Sequence, residues 1–293
     1  MGLLDGKVAI VTGAGGGLGK SHAMALAREG AAVVVNDLGG AVDGSGEGSR
    51  VADVVVQEIN DAGGRAAADY GSVTSGEDAA AMVDTAFGEF GRLDILINNA
   101  GILRDKSFKK MTDDLWDPVI AVHLKGTYHP TYAAYNKMLE QGEGGRIIMT
   151  SSTSGLIGNF GQTNYGAAKA GIAGFMRCLS IEAKKANITV NVLAPNAYSR
   201  MTADIFPDGA EKKYTTDKVS PAIAWLCSDD AADITGRQFV ISGNRVSLLY
   251  PAQFQIADDD VVENVWSPDE IGQKIRESMK DWPEPANVPG LVF

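Results

Sequence analysis

The sequence predicts a single α/β domain built on a doubly wound parallel sheet, followed by an irregular C-terminal extension. Three observations predict it. Short unbroken apolar runs alternate with longer helix-forming stretches; a glycine-rich loop joins the first run to the first helix; and the rhythm gives way near residue 250 to a stretch holding Pro251, Pro268, Pro283, Pro285 and Pro289. With 293 residues, 45% of them hydrophobic, the chain can bury a large core. No linker interrupts the rhythm, so one domain is expected over 1–249 and an extension over 250–293.

Residues 7–12 read as a buried strand, 18–29 as an alanine- and leucine-rich helix and 32–36 as a second strand, which together make an opening βαβ unit. Glycines and acidic residues over 38–49 mark a surface excursion before a helix near 51–60. A third strand is expected at 65–68, a helix at 78–90 and an unbroken apolar strand at 93–97. The stretch 112–139 predicts one long helix that opens on Asp113 and Asp114, where the helix field favours negative charge. Pro118 fits its first turns. Pro130 falls deep inside and predicts a break one to two turns after His123. Strands follow at 146–150, 189–193 and 238–241, with helices at 164–185 and 220–227. Residues 194–217 have little period and read as a lid. In the extension, Ser267-Pro268-Asp269-Glu270 predicts the start of a short helix over 269–280. Its apolar Trp266, Trp282 and Phe293 suit packing on the chain's own core or on a neighbouring subunit.

A formal net charge of −11 and a pI near 4.8 oppose binding of a nucleic-acid backbone. No eighteen-residue apolar run predicts a membrane span, and the N-terminus lacks the pattern of an export signal. Leu291-Val292-Phe293 do not spell a peroxisomal address, so a cytoplasmic setting is expected. Cys178 and Cys227 form neither a disulfide framework nor a metal spacing and read as core residues of a reducing compartment.

The loop Thr12-Gly13-Ala14-Gly15-Gly16-Gly17-Leu18-Gly19 carries the first chemistry. Without Cβ atoms the main chain can approach a pyrophosphate, which then meets the free N–H groups and positive end of the following helix. Gly13, Gly16, Gly17, Leu18 and Gly19 are the expected contacts. Asp37 ends the second strand; a carboxylate there accepts ribose hydroxyls and repels a 2′-phosphate, which favours NAD over NADP. Asn98-Asn99-Ala100-Gly101 follows the fourth strand, with Asn99, Ala100 and Gly101 small or polar enough to line the adenosine. The fold expectation thus becomes a Rossmann-like one.

Tyr165 and Lys169 stand four residues apart in a helix-forming stretch, so their side chains share a face. A nearby ammonium favours phenolate and lowers a pKa that is normally about 10. Tyr165 then serves as base in alcohol oxidation and as acid in ketone reduction, while Lys169 also reaches the nicotinamide ribose. Ser152, thirteen residues before Tyr165, offers a hydroxyl to the substrate oxygen, with Ser151 and Ser154 as competitors. No metal-binding cluster replaces it, since His22, His123 and His129 are the only histidines.

In these motifs, over about residues 5–243, the chain resembles the short-chain dehydrogenase/reductase family. The resemblance implies a seven-stranded parallel sheet, hydride transfer at the nicotinamide, and a homodimer or homotetramer assembled partly through the helices after Asp113 and Tyr165. The stretches Val34-Val35-Asn36-Asp37-Leu38-Gly39-Gly40, Gly101-Ile102-Leu103-Arg104-Asp105, Val122-His123-Leu124, Gly158-Asn159-Phe160-Gly161-Gln162 and Ala194-Pro195-Asn196-Ala197 are similar to the family's (3R)-hydroxyacyl-CoA dehydrogenase subgroup. His123 stands where the wider family has an asparagine that supports a water relay to the lysine; a packing histidine is the alternative. Gly71 stands where an adenine-contacting aspartate is expected, with Asp69 two residues before it. Pro195-Asn196 replaces Pro-Gly, which passes nicotinamide contacts to Pro195, Ser199, Met201 or Thr202. Arg104, Lys106, Lys109 and Lys110, with Arg200, Lys212 and Lys213, read as a site for CoA phosphates or as solvated surface. Phe160, Tyr198 and Met201, with Leu156, Ile157, Ile205 and Phe206, read as an acyl or steroid pocket or as core. The expected reaction is NAD-dependent oxidation of a 3-hydroxyacyl-CoA, of 3R configuration and with room for a steroid side chain; the alternative is oxidation of a free hydroxysteroid or another hydrophobic secondary alcohol.

Overall fold

A computed structural model describes residues 2–41, 43–45, 50–198, 209–258 and 265–283. Contacts divide the chain into two compact units, Met1–Leu249 and Tyr250–Val292. In the first, strands β1 (Val8–Thr12), β2 (Ala32–Asn36), β3 (Arg65–Asp69), β4 (Ile95–Asn98), β5 (Gly145–Thr150), β6 (Ile188–Asn196), β7 (Gln238–Ser242) and β8 (Arg245–Leu249) form one sheet in the order β3-β2-β1-β4-β5-β6-β7-β8. β1, β2, β4 and β5 are buried along their whole length, which is why they read as unbroken apolar runs.

The helices are α1 (Gly17–Arg28), α2 (Val51–Asp61), α3 (Gly76–Phe90), α4 (Asp113–Ile120), α5 (Gly126–Gln141), α6 (Thr153–Leu156), α7 (Thr163–Ala183), α8 (Ala210–Lys213) and α9 (Ser220–Leu226). Alternate residues of the strands serve two cores. Val11, Val33 and Ile97 pack with Leu26 of α1, Ile59 of α2 and Ile223 of α9. Ile10, Val34 and Leu96 pack with Met82 of α3, Met138 of α5 and Ile172 of α7. The sheet is thus covered on both faces, as a doubly wound fold requires. Strand order reverses between β1 and β4, and the chain leaves both strands at their carboxyl ends, so the glycine loop and residues 98–101 flank a crevice there.

Several expectations are corrected. The seven parallel strands are joined by an eighth, β8, antiparallel to β7. Ser242 pairs with Arg245, so Gly243-Asn244 is a two-residue hairpin loop, and Gly243 takes the positive φ of 58° that such a turn demands. The long helix does not break after His123. It widens into a π-helical turn at Ala121–Lys125 that contains His123, and then runs unbroken through Pro130. A proline ring crowds the turn before it and supplies no N–H to that turn, so the disturbance sits on its N-terminal side. The lid expected over 194–217 does not include its first residues, because Ala194–Asn196 continue β6 and pair with β7 as far as Ser242, while residues 199–208 lie outside the described residues. Cys227 is buried as expected, whereas Cys178 is exposed: on α7 it lies just off the buried line of Ile172, Met176 and Leu179.

Asp94 anchors the entry to β4. It is 5% exposed, takes both Nε (2.8 Å) and Nη2 (2.6 Å) of Arg92, and accepts from the Val8 N–H at 2.9 Å. The carboxylate beside it raises the Arg92 guanidinium above its ordinary pKa. Asp94→Ala strands the Val8 N–H and leaves Arg92 with Glu143 alone, at 2.6 Å. With Arg92 a third exposed, its expected cost is about 2–3 kcal/mol, below that of a fully buried pair. A urea midpoint lowered at unchanged m-value shows it; a loss under about 1 kcal/mol contradicts this assignment.

In the second unit, α10 (Pro268–Ser278) starts as the sequence predicts. Ser267 Oγ accepts from the Glu270 N–H at 3.3 Å, and the Glu270 carboxylate accepts from the Ser267 N–H at 2.8 Å.

Candidate active site

The glycine loop leaves β1 as a backbone cradle. A Cβ on Gly19 would lie 2.1 Å from the Gly13 carbonyl oxygen and 2.6 Å from Asn99 Nδ2, and one on Gly13 would lie 2.8 Å from Ala100 Cα. Gly13 and Gly17 also take φ values of +62° and +53°. The cradle is tied to β4 by two residues. Thr12 Oγ1 accepts from the N–H groups of Asn99 (3.0 Å) and Ala100 (3.1 Å), and Asn99 Nδ2 donates to the carbonyls of Thr12 (3.0 Å) and Gly13 (3.1 Å). Gly16 precedes the first residue of α1, so the loop ends on the free N–H groups of that helix.

Asp37 faces this loop. Its Oδ2 accepts from the Gly15 N–H and its Oδ1 from the Gly39 N–H, both at 2.8 Å. That leaves one lone pair on each oxygen for ribose hydroxyls. Gly15, absent from the expected contacts, matters here: a Cβ on it would lie 2.8 Å from Asp37 Oδ2 and 2.3 Å from Val51 Cγ2. Its place as the first glycine of the Gly15-Gly16-Gly17 run is its signal in the sequence. Asp69 accepts from Asn36 Nδ2 at 2.6 Å and from the Gly71 N–H at 3.0 Å, so it knots the ends of β2 and β3. A cradle too tight for a Cβ at Gly13, Gly15 or Gly19, ending on helix N–H groups beside an oriented carboxylate, fits a dinucleotide with an unmodified ribose.

The structure separates the three serines after β5. Ser151 Oγ donates to the Lys169 carbonyl at 2.7 Å and is buried; Ser154 Oγ donates to Gln162 Oε1 at 2.7 Å. Ser152 caps α6, its Oγ accepting the Ser154 N–H at 3.2 Å, and its hydroxyl acts on the Tyr165 phenol in favour of the phenolate. Tyr165 and Lys169 lie one turn apart on α7. Lys169 Nζ sits 5.5 Å from the Tyr165 ring centroid and donates to the Thr150 carbonyl at 2.6 Å.

The expected lowering of the Tyr165 pKa is corrected. Burial pushes the phenol up to about 12, the Ser152 hydroxyl opposes this, and the Asp105 carboxylate adds to the rise. Burial also takes the Lys169 ammonium down to about 7. Desolvation acts against charge on both partners, and Lys169 points its donor at a carbonyl.

His123 is buried behind Tyr165, its ring edge-on at 5.0 Å between centroids. Its Nε2 faces both the N–H (3.2 Å) and the carbonyl (2.7 Å) of Ile102, while Nδ1 is buried with no partner among the described residues. Burial, with the Lys169 charge second, holds this imidazole neutral. Gly101 makes room for it, since a Cβ there would lie 2.3 Å from His123 Cε1.

Of the expected substrate contacts, Phe160 is 84% exposed on the loop after α6. Arg104 already donates to the carbonyls of Asp43 (2.9 Å) and Asp114 (2.7 Å), which occupies part of its fork. Lys106, Lys109 and Lys110 are exposed nearby. Pro195 pairs with Ile241 inside β6, and the Tyr198 N–H donates to the Tyr214 carbonyl at 2.6 Å. Ser199, Arg200, Met201, Thr202, Ile205 and Phe206 lie outside the described residues.

Residues 7–208 match the family model described as short chain dehydrogenase. The chain is 50% identical over 232 residues to mouse peroxisomal multifunctional enzyme type 2, spanning 79% of this chain and 31% of that one. It is 39% identical over 290 residues to the hydroxyacyl-CoA dehydrogenase ChsB1 of Mycobacterium tuberculosis, covering 94% and 89% of the two chains. A solved short chain dehydrogenase from Mycobacterium avium superposes with a TM-score of 0.87 at 39% identity, over 99% of this chain and all of that one. The cytoplasmic expectation is overturned by these comparisons, in which relatives from mouse, Drosophila melanogaster, Dictyostelium discoideum, Neurospora crassa and Saccharomyces cerevisiae are peroxisomal by name. Compartment follows receptor-read addresses, which composition and fold do not encode.

Proposed function

The chain belongs to the short-chain dehydrogenase family, and from that premise we propose that this NAD-dependent enzyme oxidises the 3-hydroxyl of a (3R)-hydroxyacyl-CoA, with room for a steroid side chain, to the 3-ketone. The observation that carries the reading is Lys169 Nζ lying 5.5 Å from the Tyr165 ring centroid on α7, with Ser152 just after β5 acting on the same phenol. Ser152 holds the substrate hydroxyl by a hydrogen bond. Tyr165 takes its proton, and Lys169 stands one turn behind to bind the nicotinamide ribose. When bound, NAD accepts the hydride from C3, so alcohol and NAD become ketone, NADH and a proton. Gly13, Gly15, Gly16, Gly17, Leu18, Gly19, Asp37, Asn99, Ala100 and Gly101 hold the nucleotide.

His123 presents a neutral ring to Tyr165 and a polar Nδ1 toward the interior, which supports a part in moving the proton away from the phenol. The likeness to a hydroxyacyl-CoA dehydrogenase along 94% of the chain supports the CoA thioester. So do the exposed Lys106, Lys109 and Lys110 beside the site, as partners for CoA phosphates, and the exposed Phe160, as an acyl contact. Exposed Tyr128 and Tyr132 on α5 and Ile181 on α7 support assembly into a dimer or tetramer.

A turnover panel of (3R)- and (3S)-hydroxyacyl-CoAs, steroid-CoAs and free hydroxysteroids, each with NAD and NADP, tests this. The expected result is a kcat/KM at least ~10-fold higher with the CoA portion than without it, and higher with NAD. Equal turnover of the free alcohols overturns the substrate assignment.

A further inference from the structure

Polar side chains from three separate stretches converge on Gln162, the residue before α7. Its Nε2 donates to Asp105 Oδ2 at 2.7 Å, and its Oε1 accepts from Ser154 Oγ at 2.7 Å and from Asn159 Nδ2 at 3.0 Å. The Asp105 carboxylate only accepts, so the amide nitrogen of Gln162 faces it and the amide oxygen is left to accept from Ser154 and Asn159. Gln162 is 6% exposed, so loss of these partners leaves a buried amide unsatisfied. The main chain is clamped at the same place: Lys106 pairs with Gln162, the Lys106 N–H donates to the Gly161 carbonyl at 2.8 Å, and Asn164 Nδ2 donates to the carbonyls of Arg104 (3.0 Å) and Leu115 (2.9 Å).

The chain of contacts continues to the reacting group. Ser154 spends its one hydroxyl proton on Gln162, and its N–H fills a lone pair of Ser152 Oγ. The Ser152 O–H is thereby left to point at Tyr165 and the substrate oxygen. At the far end stands Asp105, whose charge acts on Tyr165.

We propose that Asp105, Gln162 and Ser154 form a positioning chain that aims the Ser152 hydroxyl and sets a fixed negative charge beside the Tyr165 phenol. The proposal rests on the reading of Tyr165 as the proton-transfer group. Around that phenol, α7 contributes Lys169, the π turn contributes neutral His123, the stretch after β5 contributes Ser152, and the loop after β4 contributes Asp105. Asp105 is the only carboxylate among these. Removing its charge makes the phenolate easier to form, so the ionisation moves to lower pH.

Asp105→Asn keeps the acceptor for Gln162 and removes the charge. Alkaline ultraviolet titration of the full chain, minus that of Tyr165→Phe, reads the Tyr165 ionisation without any turnover, so it stands even if the assigned substrate is wrong. The expected result is a downward shift of roughly half a pH unit or more. An unmoved or raised ionisation overturns the proposal. In parallel, Gln162→Leu is expected to cut kcat about tenfold or more with NAD affinity held within about twofold. Unchanged kcat overturns the aiming role, and if this variant does not fold, the Asp105→Asn titration decides.

Discussion

Tyr165→Phe is expected to lower kcat/KM for alcohol oxidation by ~10²–10⁴-fold, the range of positioned acid–base groups, while NAD binding stays measurable. Phenylalanine retains the ring that packs edge-on against His123 and removes only the hydroxyl that meets Ser152. The pH profile carries the same assignment. Burial raises the phenol toward 12, so its reactive phenolate is scarce at neutral pH and oxidation speeds up as pH rises through the alkaline range. Ketone reduction uses the protonated phenol and shows the opposite slope. Wild-type turnover in the variant removes Tyr165 from the mechanism.

Gly19→Ala is expected to weaken NADH binding by at least ~30-fold in a fluorescence titration, an overpacking effect of the order of 2 kcal/mol or more expressed at the cradle. Alanine is the better helix former, so propensity alone predicts a small gain. The added methyl instead meets the Gly13 carbonyl at 2.1 Å, a backbone atom held by Asn99 that has no rotamer to escape into. Gly88→Ala in α3 is the matched control: nothing lies within 4 Å of its Cβ, and stability is expected to rise by up to about 1 kcal/mol with binding unchanged. Equal NADH affinity in the two variants contradicts the cradle.

How much of this was legible in the sequence depended on whether the cause was local. β1, β2, β4 and β5 are buried on both sides, so their apolar runs reported them directly. The capping box at Ser267 and Glu270 is a four-residue event and was read as such. β8 escaped because an edge strand needs no apolar run: Arg245 to Ser247 are exposed, and only the Gly243-Asn244 pair signalled the hairpin. The Tyr165–Lys169 spacing could be seen, but the direction of the phenol's shift could not, since it depends on desolvation by residues distant in sequence. Among the serines the choice was equally hidden. Only the folded chain shows that Ser151 is spent on the Lys169 carbonyl and Ser154 on Gln162, or that Asp105 and Gln162 meet across 57 positions.

The π turn at Ala121–Lys125 also fixes the rotational phase of everything after it. Each residue advances an α-helix by about 100°, so one residue gained or lost changes which side faces inward. Before the turn Val119 points inward, within it His123 does, and beyond it Thr127, Thr131, Ala134 and Met138 continue an inward line. A one-residue deletion inside the turn would restore a plain α-helical turn with both halves of that line still facing inward, and would take the His123 ring out of its place beside Ile102. The wide turn thus works as a one-residue spacer, absorbed where it lets an imidazole reach Ile102 and a helix still seat Met138 in the core.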